Sequence, residues 1–235
     1  MAPVKGFIFD LDDTLCMERD YVRSGFMAVG YIVSDRCGMP ADSFCQRAWA
    51  YFESGVRGNI FNMMFEKYPE ISQHFCVADL VNAYREHIPN IKIHDSVLDI
   101  LNFLRGKKKF IGMISDGYYT VQKNKIEALG AGAFFDCIVL TDVYGREFWK
   151  PHERAFLDME YASGLKEREL IYVADNPQKD FIAPRNRNWR TLRVVFDGQV
   201  HSFENVAEEQ DAELIVYGFE EWRCVLRSLA EVADA

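Results

Sequence analysis

Positive charge is what this sequence is short of. Its 27 Lys and Arg stand against 36 Asp and Glu, a formal net charge of −9. A chain of that balance has no basic face to replace the counterions of a phosphate backbone, which argues against nucleic acid as a partner. Long apolar runs are missing as well. Nothing approaches the run of about 18 residues that would cross a bilayer, so no membrane partner is expected. The six cysteines, Cys16, Cys37, Cys45, Cys76, Cys137 and Cys224, form no CxxC pair and no Cys/His group of zinc spacing. They read as reduced thiols packed as small hydrophobes, with a redox role open only for Cys16, beside an acidic loop. Residues Met1 to Lys5 run straight into an apolar strand, which predicts neither signal nor transit peptide and a cytoplasmic protein. The triplet Lys107-Lys108-Lys109 reads as a solvated turn, since three adjacent lysines cannot share one face. Oligomeric state is not legible.

What is present begins at Gly6-Phe7-Ile8-Phe9, an apolar run that stops at Asp10, Asp12 and Asp13. Four apolar residues with no polar alternation predict a short strand covered on both faces, with the acids at its C-terminal tip. In an open parallel sheet that tip is where ligands bind. From Cys16 to about Asn90 the pattern is helical, with runs over 21–36, 41–54, 59–68 and 77–87. Met39, Met63 and Met64 read as core of that block. At Ile91 a βα alternation resumes. It predicts a helix ending at Leu104, a strand from Phe110 to Ile114 that stops at Ser115, a helix over 118–129 and a strand over 137–140. Lys150-Pro151 then reads as the opening of a helix to Ser163. Strands over 170–174 and 191–196, a short strand over 214–216 and a helix from Phe219 complete the chain.

Strands alternating with helices imply right-handed crossovers and a parallel sheet flanked by helices, an α/β fold of Rossmann-like type. One crossover is too long. Asp10 and Ser115 lie 105 positions apart, whereas a βαβ unit takes roughly 30 residues. The excess predicts a division into an α/β core, residues 1–16 and 91–235, and an inserted α-helical cap, residues 17–90, over the strand tips.

The polar residues at the predicted tips are Asp10, Asp12, Ser115, Lys150, Asp175 and Asp180. Carboxylates gathered at one end of a sheet repel one another unless a cation joins them, and hard oxygen ligands suit Mg2+. A metal and local cations would also let an acidic chain accept an anionic substrate. With a hydroxyl and a lysine to hold phosphoryl oxygens, the set describes phosphoryl transfer.

In these motifs the chain resembles the haloacid dehalogenase superfamily of phosphohydrolases. DxDxT after a hydrophobic strand matches Asp10 to Thr14, a Ser ending a strand matches Ser115, the motif lysine matches Lys150, and the acidic loop matches Asp175 to Asp180, with Ala174 where Gly is usual. The resemblance implies that Asp10 is the nucleophile and Asp12 its proton partner, a task suited to a carboxyl of raised pKa. It implies that Asp10, Asp175 and the main-chain carbonyl of Asp12 hold Mg2+, with Asp180 behind them orienting Lys150 or metal-bound water. Ser115, the amide of Asp116 and Lys150 would steady the phosphoryl oxygens. Thr14 would hydrogen-bond within its loop, and Asp13 is either a turn former or a direct participant.

An acid at Asp12 favours a phosphatase over a dehalogenase, because an ester oxygen needs a proton on leaving and a halide does not. The expected substrate is a small phosphorylated metabolite, a nucleotide or sugar phosphate. A phosphohexomutase-type transfer and a non-enzymatic binding protein are the alternatives. For specificity, Asn176 and Lys179 lie in the acidic loop. Arg57 reads either as an exposed cap residue or as a holder of a distal oxygen or second phosphate. Gln122 and Lys125 read as a solvated helix face, with the cleft as the alternative.

Overall fold

The computed structural model describes residues 3–201, 206–207 and 209–231; Met1 and Ala2, the start of the segment read above for targeting, lie outside them. Among the described residues six parallel strands form one sheet in the order β3-β2-β1-β4-β5-β6. They are β1 (Gly6–Phe9), β2 (Phe110–Ser115), β3 (Cys137–Leu140), β4 (Leu170–Ala174), β5 (Arg190–Val195) and β6 (Leu214–Tyr217). β1 is central, pairing Phe9 with Met113 on one side and with Val173 on the other. The chain runs outward through β2 and β3, then returns to the far side of β1 for β4. That reversal makes the tips of β1, β2 and β4 the ligand crevice of the sheet.

Alternate side chains of a strand face opposite ways, so Ile8 and Phe9 serve different layers. Ile8 belongs to a buried cluster with Phe156 and Met159 of α7 (Arg154–Ser163), Tyr172 and Trp189. Phe9 meets the Trp222 ring of α9 (Gly218–Glu231) edge to face at 6.4 Å. Both layers are apolar, which is why β1 and β4 read as continuous hydrophobic runs.

By contact the chain divides into two compact units, Met1–Glu18 with Lys92–Ala235, and Arg19–Ile91. The second unit contains α1 (Glu18–Cys37) from its second residue on, α2 (Ala41–Glu53), α3 (Ile60–Lys67), a 3-10 turn over Pro69–Gln73 and α4 (Val77–Glu86). Its interior is aromatic: Phe26 packs on Phe61 at 6.2 Å and on Tyr84 at 5.8 Å, with Phe44, Met64 and Leu80 fully buried. Gly30 on α1 is required by the approach of α2, since a Cβ there would lie 2.7 Å from the carbonyl oxygen of Ala41.

Several boundaries differ from expectation. Lys150-Pro151 does not open a helix. It lies in a turn in which His152 N donates to Trp149 O at 2.9 Å, and α7 starts at Arg154, whose amide donates to His152 Nδ1. After Ile91 the first regular element is α5 (Asp95–Gly106). The short helix α8 (Ile182–Asn186) and, among the described residues, four 3-10 turns of the first unit differ from the expectation, being too short to show a period.

Candidate active site

Asp10 follows the last residue of β1, its amide donating to Val173 O at 2.9 Å. Asp175 follows β4, and Ser115 ends β2. Fully buried Phe7, Ile8, Phe9, Ile171 and Val173 anchor the strands, so the polar residues after them are fixed in place by the core. One carboxylate oxygen from each of Asp10, Asp175 and Asp180 lies within 4.8 Å of the other two. Buried Lys150 reaches into this group, its Nζ 2.7 Å from Asp10 Oδ1, 2.7 Å from Asp180 Oδ1 and 3.0 Å from the hydroxyl of Tyr172.

Three buried carboxylates around one buried lysine leave the cluster short of positive charge. Burial, reinforced by Asp180 and opposed by Lys150 and Lys179, pushes the Asp10 carboxyl up to about 6. Burial, with Asp180 and Asp10 adding, pushes Asp175 well above the carboxylate range. Burial by itself would lower the ammonium of Lys150, but Asp10 and Asp180 outweigh it and hold the charge on. A hard divalent cation fits this donor set and would supply the missing charge. Asp180 has less to offer it, because Oδ1 sits on Lys150 and Oδ2 accepts the amide of Asn176 at 3.0 Å.

Asp12 is placed differently. Lys125 Nζ donates to its Oδ1 at 2.6 Å and Gln122 Nε2 to its Oδ2 at 2.8 Å. Burial would raise this carboxyl, but the charge and hydrogen bond of Lys125, with that of Gln122, prevail and lower it. The raised pKa expected for a proton donor is therefore not found, and the reason is the lysine. Asp13 is a structural residue. At φ 50° its Oδ1 accepts the amide of Glu18 at 2.8 Å, at the start of α1, and its Oδ2 accepts the amide of Val200 at 2.7 Å. Thr14 corrects a second expectation: its buried Oγ1 has no hydrogen-bond partner among the described residues, and the turn is closed by backbone, Leu15 N and Cys16 N both donating to Leu11 O.

Asp116 is held by Thr141 Oγ1 at 2.7 Å and by the amide of Lys150 at 3.2 Å, both donating to its Oδ1. A cavity of about 370 Å³ opens on Asp10, Asp12, Asp116, Lys150, Asp175 and Asn176, joined by Glu18, Gly117, Trp149, Lys179 and His201. All belong to the α/β unit.

Residues 7–194 match the family model described as haloacid dehalogenase-like hydrolase. The chain belongs to that family. This hydrolase is 28% identical over 210 residues to a glyceraldehyde 3-phosphate phosphatase of Methanocaldococcus jannaschii, covering 82% of this chain and 85% of the relative. It is 27% identical over 95 residues to the pyrimidine 5'-nucleotidase YjjG of Escherichia coli, covering 40% and 41%. Among solved structures, a haloacid dehalogenase family hydrolase of Deinococcus radiodurans with bound phosphate and sodium superposes with a TM-score of 0.66 at 14% identity, covering 100% of both chains. A phosphatase of Thermococcus onnurineus superposes at 0.59 and 19%, covering 95% and 98%. At such identities the likeness speaks for the fold.

In this hydrolase the site residues legible from sequence, Asp10, Asp12, Ser115, Asp116, Lys150, Asp175 and Asp180, gather at one end of the sheet. Arg57 belongs to the helical unit and is occupied within it. Its Nη1 donates to Phe52 O at 2.6 Å and Val56 O at 3.0 Å, and its guanidinium lies 3.9 Å from the Phe52 ring centroid. Gln122 and Lys125 correct a third expectation. They are not a solvated face but 2% and 3% exposed. Their three-residue spacing just after Ser115 was the available signal. Glu18, Trp149 and His201 were missed, since no motif marks them. Cys16 is a packed thiol, buried and held well above its ordinary pKa chiefly by that burial.

Proposed function

We propose that this hydrolase is a Mg2+-dependent phosphatase that cleaves a small phosphomonoester through an aspartyl-phosphate. The observation that carries the reading is the buried Lys150 joined to both Asp10 and Asp180, with Asp175 completing a carboxylate group at the tip of the central strands. The names of relatives that hydrolyse glyceraldehyde 3-phosphate and pyrimidine nucleotides point to the same class of substrate. The intact acid at position 12 favours ester over halide.

Asp10 attacks phosphorus in line with the ester oxygen. The new Asp10–phosphorus bond forms as the ester phosphorus–oxygen bond breaks, and Asp12 supplies the proton that the departing oxygen takes. Water then attacks the aspartyl-phosphate while Asp12 takes a proton from it, which frees phosphate and restores Asp10. Lys150 orients the Asp10 carboxylate, and Asp180 holds the lysine there. Ser115, the Asp116 amide and Lys150 face the charge that spreads over the phosphoryl oxygens. Asp10, Asp175 and the carbonyl of Asp12 would hold Mg2+, which would supply the positive charge that the cluster lacks. The ionised Asp12 of the resting site must take up a proton before the first step, and the approach of an anionic substrate favours that uptake.

The helical unit Arg19–Ile91 acts as a cap that selects among substrates. Arg57 is assigned no ligand, because its Nη1 is engaged by the carbonyls of Phe52, in the last turn of α2, and of Val56 just beyond it.

A panel of phosphomonoesters assayed for phosphate release with Mg2+, on wild type and on Asp10→Asn side by side, tests the proposal. Release by wild type and none by the variant is expected. Isomerised product without free phosphate would point to mutase chemistry instead, and equal release by both proteins would remove Asp10 as nucleophile.

A further inference from the structure

Gln122 and Lys125 lie one helical turn apart on α6 (Tyr119–Ala128), the helix that follows Ser115. Residues at that spacing share a face. Both side chains are buried, and both end on the same carboxylate. The 2.6 Å contact of Lys125 takes one oxygen of Asp12 and the 2.8 Å contact of Gln122 takes the other, so the carboxylate is gripped from two sides and cannot rotate without losing a partner. The Gln122 amide nitrogen also lies 2.9 Å from Ser115 Oγ and 2.6 Å from the carbonyl oxygen of Asp116. One side chain therefore joins the proton partner to the loop that faces the phosphoryl group. Gly117 leaves room for that junction: at φ +127°, a Cβ there would stand 3.1 Å from the same nitrogen.

Burying a lysine and a glutamine costs stability unless they are paired, and here the pairing of both is to the Asp12 carboxylate. We infer that Gln122 and Lys125 are positioning residues that aim the Asp12 carboxyl at the ester oxygen of the substrate, acting through Asp12 rather than by touching substrate. This rests on the phosphatase reading above. It gives the pair a duty in both proton transfers of Asp12, of which only the first depends on the leaving group. Departure of a poor leaving group needs the proton at the right place, whereas a nitrophenolate leaves without much help. Misplacing a reacting group by about 1 Å costs on the order of 10²-fold, and that cost falls on esters that need the proton.

The test compares kcat/KM for an alkyl phosphomonoester and for p-nitrophenyl phosphate, with Mg2+, in wild type, Lys125→Met and Gln122→Met. Because kcat/KM covers the steps up to departure of the leaving group, the expected result is a loss of about 10²-fold on the alkyl ester and under about 10-fold on the aryl ester. Unfolding midpoints recorded beside the kinetics separate this from loosened structure, which lowers both esters alike. Should Lys125→Met fail to fold, Lys125→Arg keeps the charge but not the short contact and is expected to show the same selectivity at smaller size. Equal losses on the two esters, or no loss in folded variants, overturn the inference. Wild type inactive on both esters, or Asp10→Asn active, overturns the phosphatase reading instead.

Discussion

Replacing the proposed nucleophile should make the metal-free protein more stable. Burial, with help from Asp180, raises the Asp10 carboxyl from the usual 3.8 to about 6. The folded chain thus holds this proton more tightly than the unfolded chain does, and stability falls as pH rises from about 4 to just above 6. A rise of roughly two pH units at about 1.4 kcal/mol each puts the penalty near 3 kcal/mol once Asp10 is ionised. Asp10→Asn keeps the shape of the neutral form and never pays it. Lys150 retains Asp180 at 2.7 Å, so the substitution does not strand the lysine. In EDTA at about pH 8 the variant should be about 3 kcal/mol more stable than wild type, and at about pH 4 the two should agree. For a chain of this length that is a midpoint about 6–12 °C higher. Tryptophan fluorescence suits the assay, since Trp189 and Trp222 are fully buried in the α/β unit. Mg2+ should narrow the gap by stabilising wild type more than the variant. A variant less stable than wild type at about pH 8 in EDTA, or a difference that ignores pH, refutes the reasoning.

Asp12→Ala should lower turnover of alkyl phosphomonoesters by about 10²–10⁴-fold, seen as phosphate release. It should also cost about 3–5 kcal/mol in urea unfolding, because buried Lys125 loses its 2.6 Å partner. Gly30→Ala should destabilise the helical unit by about 1–3 kcal/mol although alanine is the better helix former, because the new methyl meets a backbone oxygen of α2; circular dichroism during thermal unfolding reads it. Iodoacetamide applied to the native protein should label exposed Cys76 and Cys224 and spare buried Cys16, as peptide mass spectrometry would record.

The sequence by itself determined the strands and their acidic ends. β3 and β4 fall on the residues read for them, because each is an unbroken apolar run, although β4 is buried along its whole length and the edge strand β3 only in part, and Asp10, Ser115 and Asp175 could be read as strand tips because each directly ends or follows one. Motifs of that kind are local, so one-dimensional reading finds them. What it could not find was which side chains meet across the fold. Lys125 lies 113 positions from Asp12 and Lys150 lies 140 from Asp10, and only the crossovers of the sheet bring them to 2.6 and 2.7 Å. The same holds for charge. Asp10 and Asp12 are alike in sequence and two residues apart, yet one is pushed up to about 6 and the other down. Asp10 is buried and Asp12 half-buried, and tertiary structure decides between them by partner: Asp12 has Lys125 on it, while Asp10 shares Lys150 with Asp180 and lies close to Asp175.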